Sequence, residues 1–188
     1  GDDGLESRFA FDATGIDQVE FLLSPGPGEP LRSLAATASG GEASRLMLAI
    51  KGVLTAADQT PTLVFDEVDA GIGGRIGTVV GDKTWRLSSN HQVVCVTHLP
   101  QIAAFADHHV HIEKSVVQGR TVTSTQTLSN SGMVEEISHM LGSTSDITMS
   151  HAKEMIEQTS QWKKGHRNGG ADLETLQMHL LDTPGESN

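Results

Sequence analysis

The run Thr62-Leu63-Val64-Phe65-Asp66-Glu67 is the most informative stretch for the fold, because a short apolar segment ends abruptly in two adjacent carboxylates. A run of this length after Pro61 predicts a strand buried on both faces. Residues 92–97 predict a second buried strand, and the apolar positions between 76 and 87 have helical spacing. Strand, helix and strand in this order predict a parallel βαβ unit.

The segments before this unit predict a hairpin and a helix. Two short strands are expected at 8–12 and 18–23, and the Pro-rich and Gly-rich residues 24–38 are expected to form a connection. From Ser39 the apolar period becomes helical, and this helix is predicted to end near Asp58. Its apolar face is predicted to consist of Leu46, Met47, Ile50, Val53, Leu54 and Ala57.

The segments after the unit predict a short helix to Ala106, a hairpin that turns at Gln118-Gly119, and two further helices. These helices are predicted at 131–142 and 146–162. We therefore expect one domain over residues 1–162, followed by a linker and a disordered tail over residues 163–188.

Composition limits the possible functions. The 188 residues include 13 Lys and Arg against 24 Asp and Glu, and the formal net charge of -11 argues against a surface that binds nucleic acid nonspecifically. The single cysteine, Cys95, lies in an apolar run and is expected in the core. No apolar run approaches the roughly 18 residues that span a bilayer, so we expect a soluble, cytoplasmic protein without a membrane partner.

The adjacent acids Asp66 and Glu67 are the first candidate site. A carboxylate at the carboxyl end of a parallel strand lies where open α/β sheets bind ligands, and nucleotide hydrolases hold Mg²⁺ there. Asp66 is a candidate metal ligand, and Glu67 a candidate for orienting or deprotonating the attacking water. The alternative is a strand end that simply exits into solvated acids.

The run Ser39-Gly40-Gly41-Glu42 is the second candidate site. Ser39 and Glu42 fit a helix capping box, which explains neither glycine. Two glycines at a helix start expose backbone N–H groups suited to a phosphate. Arg45 adds a cation one turn later, either toward a phosphate or in a surface salt bridge.

His98 is the third candidate, because it directly follows the strand predicted beside Asp66. A lone histidine is more often structural than catalytic, but this position favours function. The Gly-rich run from Asp69 to Gly73 supplies an acidic loop after the carboxylate pair, or an ordinary strand-to-helix turn.

Taken in order, these motifs resemble the second half of an ABC-type ATPase head. Ser39 to Glu42 resemble the signature motif, Leu63 to Glu67 the Walker B strand, Asp69 to Gly73 the D-loop, and His98 the switch histidine. Over about residues 8–158, the longer sequence around these motifs is similar to the C-terminal part of the RecN family of bacterial DNA repair proteins. This similarity is carried by three segments, Ala38 to Glu42, Phe65 to Gly74 and Cys95 to Ala103.

The resemblance implies the fold and its ligands. It implies an α/β, P-loop NTPase-like head, of which this chain is the C-terminal lobe with a parallel βαβ core and flanking hairpins and helices. It also implies an SMC-like, nucleoid-associated ATPase that uses ATP and Mg²⁺ and acts in DNA double-strand break repair and recombination.

In such heads two protomers sandwich ATP. Asp66 as metal ligand, with Glu67 and His98 as catalytic residues, would act in cis. The signature residues Ser39, Gly40, Gly41 and Glu42, with Asp69 of the D-loop, would bind the nucleotide in trans.

The chain departs from this pattern because it contains no G-x-x-x-x-G-K-[S/T] loop. We expect it to be inactive without an N-terminal Walker A lobe. The expected partners are that lobe, a second copy of the head and, for the longer protein, DNA.

Three other functions compete with this one. A dinucleotide enzyme fails on spacing, since a G-x-G-x-x-G run begun at Gly71 meets Ile76 where it needs glycine. A metal site at His108, His109 and His111 lacks a further ligand at a telling spacing. A non-catalytic interaction module that retains the ATPase fold is the remaining alternative.

Overall fold

The computed structural model describes residues 13, 15, 17, 19–24, 27–34, 39–54 and 58–167. The chain divides into two compact units, Gly1–Ser39 and Gly40–Asn188. The first contains β1 (Leu22–Leu23) and β2 (Arg32–Ser33). The second contains, in chain order, α1 (Gly40–Leu54), β3 (Thr62–Phe65), α2 (Gly74–Leu87), β4 (Gln92–Cys95), α3 (Pro100–Ala103), β5 (Val110–Val117), β6 (Arg120–Thr127), α4 (Asn130–Met140) and α5 (Asp146–Arg167).

The first unit contains a hairpin that the sequence does not predict. β1 pairs antiparallel with β2, and Leu22 is opposite Ser33. The expected connection over 24–38 therefore contains a strand. Ser24 Oγ donates a hydrogen bond to the Glu29 carbonyl at 3.0 Å, which closes the turn between the strands. The strand predicted at 8–12 lies outside the described residues.

The predicted βαβ unit is confirmed. β3 and β4 pair in parallel, with Leu63 beside Val93 and Phe65 beside Cys95, and α2 connects them. The α/β fold class is confirmed with it. The predicted second strand ends two residues early, at Cys95, so Val96 and Thr97 lie beyond the strand.

The prediction that both faces of β3 are buried is wrong. Leu63 and Phe65 point into the core, but Val64 is 68% exposed. Val94 of β4 is also exposed. The core lies on one side only, because α1 and α2 cover a single face; its buried members are Leu48, Leu63, Phe65, Val68, Val80, Leu87 and Ile102.

Helix α1 packs by a different face from the predicted one. Gly41 and Leu48 are its buried residues, and Ser44 and Arg45 lie between them on the same side. Of the predicted face, Met47, Val53 and Leu54 are exposed. The apolar periodicity predicted the helix correctly, but the apolar face that it indicated is not the face that packs. The packed face is lined by small and polar residues.

The predicted hairpin with its turn at Gln118-Gly119 is confirmed as β5–β6. Its strands pair from Val110 opposite Thr127 to Val117 opposite Arg120. Gln118 and Gly119 both have positive φ, 51° and 77°, as a two-residue hairpin turn requires.

The last two helices pack against each other and against Ala103 and Ala104, which follow β4. Ile137 of α4 and Met155 of α5 are buried in a second core cluster. The short helix α3 ends at Ala103 rather than at Ala106.

Helix α5 ends at Arg167, so the predicted start of the linker at 163 is wrong. Trp162 is buried edge-to-face against Phe105 and Trp85, with ring centroids 5.4 and 5.5 Å away. Beyond it, Lys163 Nζ lies 3.0 Å from Asp107 Oδ1. These contacts hold the last turns of the helix, which the polar sequence after 162 does not indicate. The predicted tail after residue 167 lies outside the described residues.

Candidate functional site

The carboxyl ends of β3 and β4 lie side by side. The Val96 N–H donates to the Phe65 carbonyl at 2.9 Å, which extends the pairing of Phe65 with Cys95 by one step. Asp66 and Glu67 therefore follow one strand, and Thr97 and His98 the other, at the same edge of the sheet. The structure brings together the acids and the histidine that the sequence singled out.

Asp66 is exposed and held at the base of a turn. Its Oδ1 accepts a hydrogen bond from the Glu67 N–H at 2.9 Å. Its carbonyl accepts one from Ser44 Oγ of α1 at 2.7 Å. These bonds fix the Asp66 backbone while its carboxylate remains accessible. One accessible carboxylate fits Mg²⁺, which proteins usually hold by one or two carboxylates together with substrate phosphates.

Glu67 has a left-handed backbone, with φ of 57°. This region is uncommon for a residue with a side chain, and strained backbone of this kind clusters at functional sites. The Glu67 carboxylate lies directly against Gly40, so that a Cβ on Gly40 would collide with its Oε2. The first glycine of the signature-like motif thus lies in contact with the flexible end of the Glu67 side chain.

Arg45 ties α1 to the turn after Glu67. Its Nη1 donates to the Ala70 carbonyl at 2.8 Å and to the Val68 carbonyl at 3.3 Å. These contacts correct the expectation of a surface salt bridge. Gly41 packs against the same turn, because a Cβ there would lie 2.9 Å from the Ala70 Cβ.

Asp69 is buried, and its carboxylate faces the neighbouring strand end. Its Oδ2 accepts hydrogen bonds from Thr97 Oγ1 at 2.6 Å and from the His98 N–H at 2.7 Å. His98 Nδ1 lies 2.9 Å from the same oxygen. Burial alone would raise the pKa of Asp69, but these hydrogen bonds outweigh it and hold that pKa below its ordinary value.

His98 has an accessible ring, with a side chain that is 73% exposed. Its backbone is fixed on both sides, since the Leu99 N–H donates to Thr97 Oγ1 at 3.0 Å. A histidine that is anchored through one ring nitrogen and exposed elsewhere can meet a ligand with the other nitrogen.

Cys95 is half-buried and packs against the core cluster, as expected. Burial, with smaller contributions from the carboxylates of Asp69 and Asp66, raises the pKa of its thiol to about 12. Such a thiol is inert, so Cys95 is a packing residue.

The signature-like residues divide between the two units. Gly40, Gly41 and Glu42 form the first turn of α1, where Glu42 is exposed. Ser39 directly precedes this helix but belongs to the first unit, so its phosphate role stays a prediction.

Two further observations concern a metal site and a membrane-spanning helix. In the part of the chain that the structure describes, no group of three or more His, Cys, Asp or Glu residues could hold a metal ion. His111 instead pairs with Glu136, with Nδ1 and Oε2 3.0 Å apart. No helix in the same part is long and apolar enough to cross a membrane.

Comparison with known proteins identifies the family. The chain is 46% identical over 151 residues to the DNA repair protein RecN of Bacillus subtilis (strain 168), a match that covers 79% of this chain and 26% of that protein. The chain belongs to the RecN family. The RecN of Deinococcus radiodurans is 48% identical over 145 residues, which cover 77% of this chain and 25% of that protein. The chain thus spans about a quarter of the length of these RecN relatives.

The other comparisons add little to the RecN assignment. One solved structure, from work on ATP-driven dimerization and DNA-stimulated activation of SMC ATPases, is 20% identical with a TM-score of 0.45. The match covers 73% of this chain and 82% of that one. A similarity this weak supports no conclusion about fold or function. No family model matches the chain.

The contacts of three residues in this RecN segment could not be predicted from the sequence. Nothing in the sequence marked Ser44 or Arg45 as partners of main-chain carbonyls, because such bonds depend on how α1 packs. The sequence predicts Thr97 in a strand, but its hydroxyl donates a hydrogen bond to Asp69 and accepts one from the Leu99 N–H. Its position directly before His98 was the available signal.

Proposed function

We propose that this chain supplies the catalytic carboxylates and the switch histidine of a RecN-type ATPase head. In this proposal Asp66, Glu67 and His98 act on ATP bound between two heads. The remaining parts of each nucleotide site come from the N-terminal lobe of the longer protein and from a second copy of this chain.

The observation that carries the proposal is the common edge of β3 and β4. Open α/β sheets bind ligands beyond the carboxyl ends of their strands, and both candidate groups follow strands at that edge. The 2.9 Å hydrogen bond from Val96 N–H to the Phe65 carbonyl keeps these strand ends adjacent.

Asp66 is the residue that would hold Mg²⁺. When bound, Mg²⁺ neutralises charge on the phosphates of the nucleotide. The bond from the Glu67 N–H to Oδ1 of Asp66 fixes the orientation of the carboxylate. Asp66 is thereby oriented before any ligand arrives.

Glu67 would orient the attacking water and accept its proton. Its exposed carboxylate and left-handed backbone support this role. The turn that sets this backbone is held by Arg45 and closed by the bond from the Ala70 N–H to the Glu67 carbonyl at 3.0 Å. Helix α1 therefore helps to set the position of the base.

The signature residues Ser39 to Glu42 would bind the nucleotide of the partner head. The close packing of Gly41 against Ala70 supports a second role for this glycine. Any movement of the first turn of α1 on binding a partner's nucleotide would reach Glu67 through Gly40.

An N-terminal lobe is the proposed partner for the uncovered apolar surfaces. Val64, Val94 and Val96 are exposed on one face of the β3–β4 pair. Sheets of parallel strands are normally covered on both faces, so another segment belongs on this one. The same lobe would bring the phosphate-binding loop that this sequence does not contain.

DNA contact is proposed for other parts of the longer protein. The net charge of -11 disfavours phosphate binding by this chain as a whole. The RecN relatives are DNA repair proteins, and we place the longer protein in the cytoplasm with the nucleoid. Repair of double-strand breaks by recombination is the function that we propose for it.

The test uses a RecN chimera, in which the matched 151 residues of this chain replace their counterparts in Bacillus subtilis RecN. We expect Mg²⁺-dependent ATP hydrolysis by the chimera and none by the isolated chain. Glu67→Gln should lower turnover by roughly 100-fold while nucleotide binding is retained, as for loss of a general base.

The matched control is Glu135→Gln, an exposed carboxylate on α4, which should leave turnover unchanged. An active chimera in which Glu67→Gln has no effect would contradict the catalytic role. The chain would then be a non-catalytic module that retains the fold.

A further inference from the structure

Asp69 makes its hydrogen bonds within its own chain, whereas the resemblance to ABC-type heads implies that a D-loop residue reaches the partner's nucleotide. We propose that Asp69 is a positioning residue for His98: it holds the proton on Nδ1 and leaves Nε2 to meet the nucleotide. This inference deepens the proposed function, since it concerns the same site.

Three atoms of Thr97 and His98 converge on one oxygen of Asp69. Thr97 Oγ1, the His98 N–H and His98 Nδ1 lie 2.6, 2.7 and 2.9 Å from Oδ2 of Asp69. The first two contacts are hydrogen bonds, in which the hydroxyl and the amide donate to the carboxylate. The third is a close approach, and a bare Nδ1 lone pair 2.9 Å from an ionised carboxylate oxygen would be repelled, whereas an Nδ1–H would be attracted. The proton of a neutral His98 ring therefore belongs on Nδ1.

Asp69 and His98 differ in burial. The Asp69 side chain is 6% exposed, against 73% for His98. A buried carboxylate that is already satisfied has no surface to offer a nucleotide, and its charge would repel phosphate. It does have the position to orient an exposed ring.

Thr97 links Asp69 to the backbone that follows His98. Its hydroxyl donates to Asp69 and accepts from the Leu99 N–H at 3.0 Å, so the direction of the O–H bond is determined. Residues 97–99 are thereby fixed on both sides of the histidine. The backbone and the ring of His98 are positioned by the same carboxylate.

The direct test is ¹⁵N NMR of the imidazoles in this chain at pH 9, above the ordinary histidine pKa of about 6.5. The His98 signals are assigned by their loss in His98→Gln. We expect a proton on Nδ1 in the wild type. Asp69→Asn should keep it, because the amide oxygen can take the place of Oδ2, whereas Asp69→Ala should release the ring to the mixture found in free imidazole.

The matched control is the second histidine–carboxylate pair, His111 with Glu136. Glu136→Gln should leave the His98 signals unchanged. A wild-type His98 with its proton on Nε2 would overturn the proposal, and so would an unchanged Nδ1–H state in Asp69→Ala. Should Asp69→Ala fail to fold, the wild-type spectrum decides by itself.

Turnover by the RecN chimera separates this inference from the proposed function. In an active chimera, Asp69→Ala should lower kcat by roughly 10- to 100-fold with KM for ATP retained, and Asp69→Asn should recover part of that loss. An active chimera indifferent to Asp69→Ala would overturn the positioning role. A chimera that never hydrolyses ATP, with Nδ1 protonated as expected, would contradict the proposed function and leave the positioning of His98 supported.

Discussion

Three acids lie within four positions at the end of β3, and they differ in exposure. Asp66 and Glu67 are exposed, whereas Asp69 is buried among hydrogen-bond donors. Exposed carboxylates can meet a cation or a water, and a buried one can only organise its neighbours. The three acids therefore call for different tests.

Asp66→Asn should weaken Mg²⁺-dependent nucleotide binding by the RecN chimera as well as its turnover, because the amide carries no charge for the cation. A Mg²⁺ titration of nucleotide binding measures the effect. Glu67→Gln is the comparison, since it should lower turnover at an unchanged apparent Mg²⁺ affinity. An unchanged Mg²⁺ affinity in Asp66→Asn would remove Asp66 from the metal role.

Cys95 should resist alkylation in the folded chain. A thiol pKa of about 12 leaves only about one thiolate in 10⁴ at pH 8. Mass spectrometry after iodoacetamide treatment should show slow modification in buffer and rapid modification in urea. Rapid labelling of the folded chain would mean that Cys95 is not packed as described.

Among the elements, α1 contacts the site most directly. Gly41 contacts the turn at Ala70, while Gly52, in the same helix, has open space where a Cβ would lie. The two glycines therefore offer a comparison within one element.

Gly41→Ala should destabilise the chain by about 1–3 kcal/mol, because a Cβ would press on the Ala70 backbone. Gly52→Ala should instead stabilise it by about 0.5–1 kcal/mol, the usual gain from replacing glycine inside a helix. Urea unfolding measures both. Equal effects of the two substitutions would show that α1 does not pack closely against the turn.

The elements also show what the sequence could predict. The order β3, α2, β4 followed from apolar runs and helical spacing, which are local properties. The buried face of α1 did not, because it is lined by Gly41, Ser44 and Arg45, whose partners are carbonyls in a distant turn. The end of α5 was missed for a similar reason, since Trp162 and Lys163 are held by residues of α2 and the α3 region.

The candidate site was predicted in part. Asp66, Glu67 and His98 were placed at one sheet edge from strand ends alone, and the structure brings them there. The partner of Asp69 could not be predicted, because the sequence does not tell whether a loop acid turns inward to its own chain or outward to another.

At the scale of the whole molecule, the apolar surfaces on the β3–β4 pair and on α1 indicate a structure that other segments complete. Val64 and Val53 are 68% and 85% exposed, respectively. The proposed head joins this chain to an N-terminal lobe and then to a second copy. Each nucleotide site then combines Glu67 of one head with Ser39 of the other.

The most direct measurement of this arrangement is ATP turnover by mixed RecN chimeras. Ser39→Arg and Glu67→Gln chimeras should each be inactive alone. A mixed dimer has one site with both changes and one with neither, so an equal mixture should recover roughly a quarter of wild-type turnover. Differently tagged subunits establish that mixed dimers are present. Continued inactivity of such mixtures, or full activity of the Ser39→Arg chimera alone, would contradict the account.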